Sequence, residues 1–99
     1  MIRRQLCATI KAGNTREARE WAKEMIEYLN QHYPEQHCDV LEVLYGAARR
    51  LCFYSDADSL AVHEQIMAKQ FENKTYQELS PKWMTLVEND WERIALQSF

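Results

Sequence analysis

Apolar and polar residues alternate along positions 2–11. Ile2, Leu6, Ala8 and Ile10 share one face, broken by Arg4, while Arg3, Gln5, Cys7, Thr9 and Lys11 form a more polar one. A period of two predicts a strand. Gly13-Asn14 ends it, and Asn14 with Glu17 has the spacing of a capping box. From Thr15 to about His32 the period becomes helical. Ala18, Trp21, Ala22, Met25, Ile26 and Leu29 fall on one arc, and Arg16, Glu20, Lys23 and Glu27 stand opposite. This helix should lay one face on a sheet and give the charged stripe to water, where opposite signs neighbour each other. Pro34 predicts its end, because the residue before a proline is pushed out of the helical region.

The stretch Asp39–Ser59 reads as a β-hairpin running into a helix. Two apolar runs, Val40–Tyr45 and Leu51–Tyr54, flank a Gly-Ala-Ala-Arg break. Both alternating sets are apolar in each run, with Glu42 the interruption, so both sides of these strands should be covered. Ser55-Asp56-Ala57-Asp58 supplies N-cap candidates for a helix from about Ser59 to Phe71. A shorter helix is expected over Thr75–Val87, disturbed at Pro81, and a last strand over Trp91–Ser98. Strand, helix, strand, strand, helix, strand is the ferredoxin-like split βαβ order of an α+β protein. Right-handed crossovers put the helices on one side of a four-stranded antiparallel sheet. The bare face then calls for a second copy, packed sheet to sheet as a homodimer.

Composition narrows the function classes. Ninety-nine residues suit one domain spanning 1–99, and 46% hydrophobic content with two Gly and two Pro describes a folded chain. A net charge of −3 provides no global positive field for nucleic acid or an anionic membrane surface. The paired basics Arg3-Arg4 and Arg49-Arg50 read as salt-bridged strand ends. Cys7, Cys38 and Cys52 have no metal-ligand or redox-motif spacing. They read as unpaired, buried small hydrophobes in a reducing cytoplasm. No apolar run reaches transmembrane length, and no metal or cofactor motif is present.

The run GAARRLCFYSDADSLAVHEQ, the stretch YQELSPKWMTLV and the ending DWERIALQSF resemble the dimeric α/β-barrel superfamily, and within it NIPSNAP-type proteins most closely. The resemblance spans nearly the whole chain as architecture and includes no catalytic signature. It implies a dimer of ferredoxin-like subunits forming an α/β barrel. The superfamily includes cofactor-free monooxygenases, small-molecule isomerases, haem-binding and haem-degrading enzymes, and proteins of unassigned role, so the shared fold does not choose an activity.

Candidate chemistry follows from strand parity. If Leu51, Phe53, Ile94 and Leu96 face the helices, then Arg50, Cys52, Tyr54, Trp91 and Arg93 face the other way. Such a set could orient an aromatic or acidic small molecule by stacking and charge-assisted hydrogen bonds. The competing reading is interface packing, with the arginines paired to Glu42 or Glu92. His63 falls inside the apolar arc of its helix, as a packed histidine, a base or a haem ligand. Glu42 is a further candidate base if its pKa is raised in a cavity, against an ion pair with an arginine. The expected function is binding of a small apolar or aromatic molecule in a cavity. The alternative is a cofactor-independent monooxygenase or isomerase acting on an aromatic or polyketide-like compound, with haem handling behind both.

Overall fold

The computed structural model describes residues 1–44, 46 and 48–97. Its elements are β1 (Ile2–Thr9), α1 (Thr15–His32), β2 (His37–Val43), β3 (Arg50–Ala57), α2 (Leu60–Glu72), α3 (Lys74–Leu79), a 3-10 turn (Ser80–Lys82), α4 (Trp83–Leu86) and β4 (Glu92–Gln97). The strands form one antiparallel sheet in the order β2-β3-β1-β4, the ferredoxin-like arrangement the pattern predicts. Tyr45 and Ser98, which the pattern assigns to strands, lie outside the described residues.

The helices cover one face of the sheet. Ala8 and Leu51, opposite each other on β1 and β3, are buried beneath Ala18, Trp21, Ala22 and Met25 of α1, Ile66 of α2, and Trp83 and Leu86 of α4. Trp21 stacks on Trp83 with ring centroids 5.3 Å apart, and Phe53 meets Trp83 edge-on at 5.0 Å. The indole N–H of Trp21 donates to the Leu79 carbonyl at 2.9 Å, which pins α3 to α1. Opposite the apolar arc of α1, Arg16 and Glu20 form the expected i,i+4 pair at 3.3 Å in solvent.

Four local expectations are corrected. Asn14 precedes α1 without a side-chain cap; its amide nitrogen is 3.4 Å from the Thr85 carbonyl. The single helix over Thr75–Val87 is broken into α3, a 3-10 turn carrying Pro81, and α4. A proline cannot donate to the preceding turn, so the helix restarts around it. Cys7 and Cys52 are not free thiols. They face each other on β1 and β3 with Cα atoms 4.1 Å apart and are joined as a disulfide, leaving Cys38 free. Their pairing depends on register, which the spacing in sequence does not reveal.

The fourth correction concerns β4. Leu51 and Phe53 face the helices as expected, but β4 pairs with β1 so that Leu6 opposes Arg93 and Gln5 opposes Ile94. Ile94 and Leu96 therefore lie on the open face, and Arg93 and Ala95 lie on the helix-side face, at an exposed edge of the sheet. Trp91, just before the strand, packs against the core cluster. Among the described residues no helix is long and apolar enough to cross a membrane.

Candidate functional site

Parity places Arg4 and Leu6 of β1, Cys38 of β2, Phe53 and Ser55 of β3, and Arg93 and Ala95 of β4 on the helix-side face. Towards this end of the sheet the helices stand off. Ile26 and Leu29 of α1, Met67, Gln70 and Phe71 of α2, and Tyr76 of α3 complete the walls of a cavity of about 360 Å³. The spacings of these helical residues, three or four apart, put each set on one face. Tyr54 and Ile94 also border the cavity, from the strand backbone, because alternation turns their side chains away.

A buried chain of polar groups supports one wall. Gln70 Nε2 donates to Gln36 Oε1 at 3.1 Å, and Gln36 Nε2 reaches Ser55 Oγ at 3.1 Å and His63 Nδ1 at 3.3 Å. His63 Nε2 lies 2.9 Å from the Ile2 carbonyl oxygen. A carbonyl only accepts, so Nε2 carries the proton and Nδ1 is the acceptor for the Gln36 amide. His63 is fully buried, with both ring nitrogens engaged inside the protein, and it stands behind the cavity wall.

The electrostatics differ sharply among the lining groups. Burial pushes the Arg4 guanidinium below its ordinary value, with repulsion from Arg93 adding to it and Glu64 opposing. Arg4 also donates to the sulfur of Met67. The Arg93 guanidinium lies over the Trp91 ring, 4.7 Å from its centroid. Burial raises the Tyr76 hydroxyl while Arg93 and Arg4 pull it down; the balance is upward, so it stays a donor at neutral pH. Burial pushes the Cys38 thiol up to about 12, which leaves it an inert part of the wall.

The candidates named from sequence are divided by the sheet. Arg93 enters the cavity, and Trp91 packs beside it. Arg50, Cys52 and Tyr54 carry their side chains on the open face. There Tyr54 donates to Asp39 Oδ2 at 3.3 Å and takes the Arg3 guanidinium over its ring at 4.3 Å. Arg3 in turn grips Asp56 with two bonds of 2.8 and 2.9 Å. Glu42 accepts two bonds from Arg19, at 2.8 and 2.7 Å, and these hold its carboxyl below the usual range instead of above it. Sequence reasoning missed Arg4, Gln36, Gln70 and Tyr76. Only Arg4 left a signal, as the one basic residue breaking the apolar face of β1.

Among the described residues no group of three or more His, Cys, Asp or Glu side chains is placed to hold a metal ion. No family model matches the chain, and no curated protein matches it by sequence. Solved structures do match in shape. An uncharacterised NIPSNAP domain protein from Burkholderia xenovorans superposes with a TM-score of 0.85 at 14% identity, covering 100% of this chain and 95% of that one. A NIPSNAP family protein from Agrobacterium tumefaciens gives 0.84 at 16%, over 99% and 92%. An antibiotic biosynthesis monooxygenase gives 0.77 at 14%, over 100% and 99%. The chain thus has the ferredoxin-like α+β fold that NIPSNAP-domain and antibiotic-biosynthesis-monooxygenase structures share.

Proposed function

We propose that this protein binds a small, largely apolar or aromatic molecule in the cavity between sheet and helices, and that it does so as a homodimer joined through the open sheet face. The observation that carries the reading is the make-up of the cavity. Leu6, Ile26, Leu29, Phe53, Met67 and Phe71 supply apolar wall, and a few amide, hydroxyl and guanidinium groups converge on it. Apolar walls give affinity and a small number of polar groups give orientation, as in most small-molecule sites. The described lining holds no carboxylate and no imidazole, which favours binding over a reaction needing a base. Likeness in fold to an antibiotic biosynthesis monooxygenase supports a second reading, cofactor-independent oxygenation of an aromatic or polyketide-like compound, which product analysis would separate from binding.

The homodimer rests on what the open face exposes. Leu41, Leu96 and Ile94 are 58%, 48% and 40% exposed there, and burying a side chain of this size is worth roughly 1.5–3 kcal/mol. Melting curves against a panel of small aromatic compounds test the binding reading. At least one compound should raise the melting temperature of the native chain. Ala95→Trp, which fills the cavity from a surface-exposed strand position, should abolish that shift with folding intact. Equal shifts in both proteins would contradict the assignment to this cavity.

A further inference from the structure

The cavity carries two guanidinium groups, and the one carboxylate whose field acts on Arg4, that of Glu64, is not in contact with it among the described residues. Arg4 and Arg93 both line it, and the pairing of Arg4 with Ala95 and Leu6 with Arg93 makes them diagonal neighbours on adjacent strands. Among the described residues neither guanidinium is in salt-bridge contact with a carboxylate, whereas Arg3, Arg16 and Arg19 are each paired, with Asp56, Glu20 and Glu42. The contrast with the groove between α1 and β2 is direct. That groove is of similar size, about 350 Å³, but its arginines already face Glu20 and Glu42. Burial and the repulsion of Arg93 both disfavour the charged Arg4 guanidinium, so an anion placed between the two side chains relieves the arrangement. Each guanidinium offers a planar fork suited to two oxygens. Tyr76 adds a hydroxyl within the field of both.

We infer that the ligand of this cavity is an organic acid: a flat apolar body with one compact anionic group, held by Arg4 and Arg93 with Tyr76 as a further donor. The apolar body lies against Phe53, Leu29 and Met67. This rests on the cavity reading above and adds to it the charge of the ligand.

A matched pair of probes tests it by calorimetric titration at neutral pH and low salt. 2-Naphthoate and 2-naphthamide share shape and size and differ in charge. The native chain should bind naphthoate at least about tenfold more tightly than naphthamide, the scale of one charge-assisted hydrogen bond. Arg93→Gln, at an exposed position, and Arg4→Met should each reduce that preference, and the double variant should remove it while still binding naphthamide. Melting curves establish that the variants are folded. Equal affinity for the two probes in the native chain would overturn the anion inference and leave the cavity reading standing. Binding of neither probe would overturn both. A naphthoate preference that survives in the folded double variant would place the anion elsewhere, and would also overturn the inference.

Discussion

His63 shows how a single residue changes meaning between sequence and structure. On a helical wheel it sits in an apolar arc and reads as a packed histidine, a base or a ligand; the structure shows the first. In the fold its protonated Nε2 is given to the Ile2 carbonyl and its Nδ1 to the Gln36 amide. It ties the start of β1 to α2 and to the loop before β2. Replacing it with alanine should cost about 2–4 kcal/mol in chemical denaturation, because buried partners are left unsatisfied; unchanged stability would contradict this role. Cys38 makes a second prediction at this scale. With its thiol pushed up to about 12, it should alkylate with iodoacetamide at pH 8 on the order of a hundredfold more slowly in the folded chain than in denaturant. Arg4 was legible only as a blemish, a cation on a face otherwise fit for the core. Its value appears when the register sets Arg93 diagonal to it.

Elements were more legible than faces. The helical period of α1, the hairpin and the order of strands were all readable, because each rests on local repetition. The parity of β4 was not. Ile94 and Leu96 resemble core residues, and only pairing with β1 shows that they lie on the open face. The same holds for the meeting of Cys7 with Cys52, and for Glu42, whose partner Arg19 comes from α1. Two cross-element ion pairs, Arg3–Asp56 and Arg19–Glu42, have a consequence for pH. Hydrogen bonds from Arg3 and Arg19 hold Asp56 and Glu42 below their ordinary values. The native state therefore binds fewer protons than the unfolded one in mild acid. The stability they contribute is present above about pH 4, where the unfolded carboxyls are ionised, and is lost as pH falls through the native values. Asp56→Asn combined with Glu42→Gln should be less stable at pH 7 and lose less stability between pH 5 and 3 than the native chain. An identical acid limb would contradict the assignment.

At the scale of the molecule the sheet separates two tasks. Its helix side joins a packed aromatic core, built on Trp21, Phe53 and Trp83, to the cavity around Arg4 and Arg93. Its open side carries Leu41, Ile94 and Leu96 around the Cys7–Cys52 bridge, with Arg3, Tyr54 and Asp56 linked alongside. The proposed partner for that surface is a second copy. Ile94→Lys, which plants a charge there, should shift the assembly to monomer in sedimentation while the subunit stays folded; a persistent dimer would mean that other surfaces hold it. The most direct test of the whole account is native mass spectrometry of the freshly purified protein. Two chains should appear together, retaining a small organic acid that is released on denaturation and lost in the Arg4→Met, Arg93→Gln double variant. A bare monomer at micromolar concentration that takes up neither a second chain nor added 2-naphthoate would contradict it.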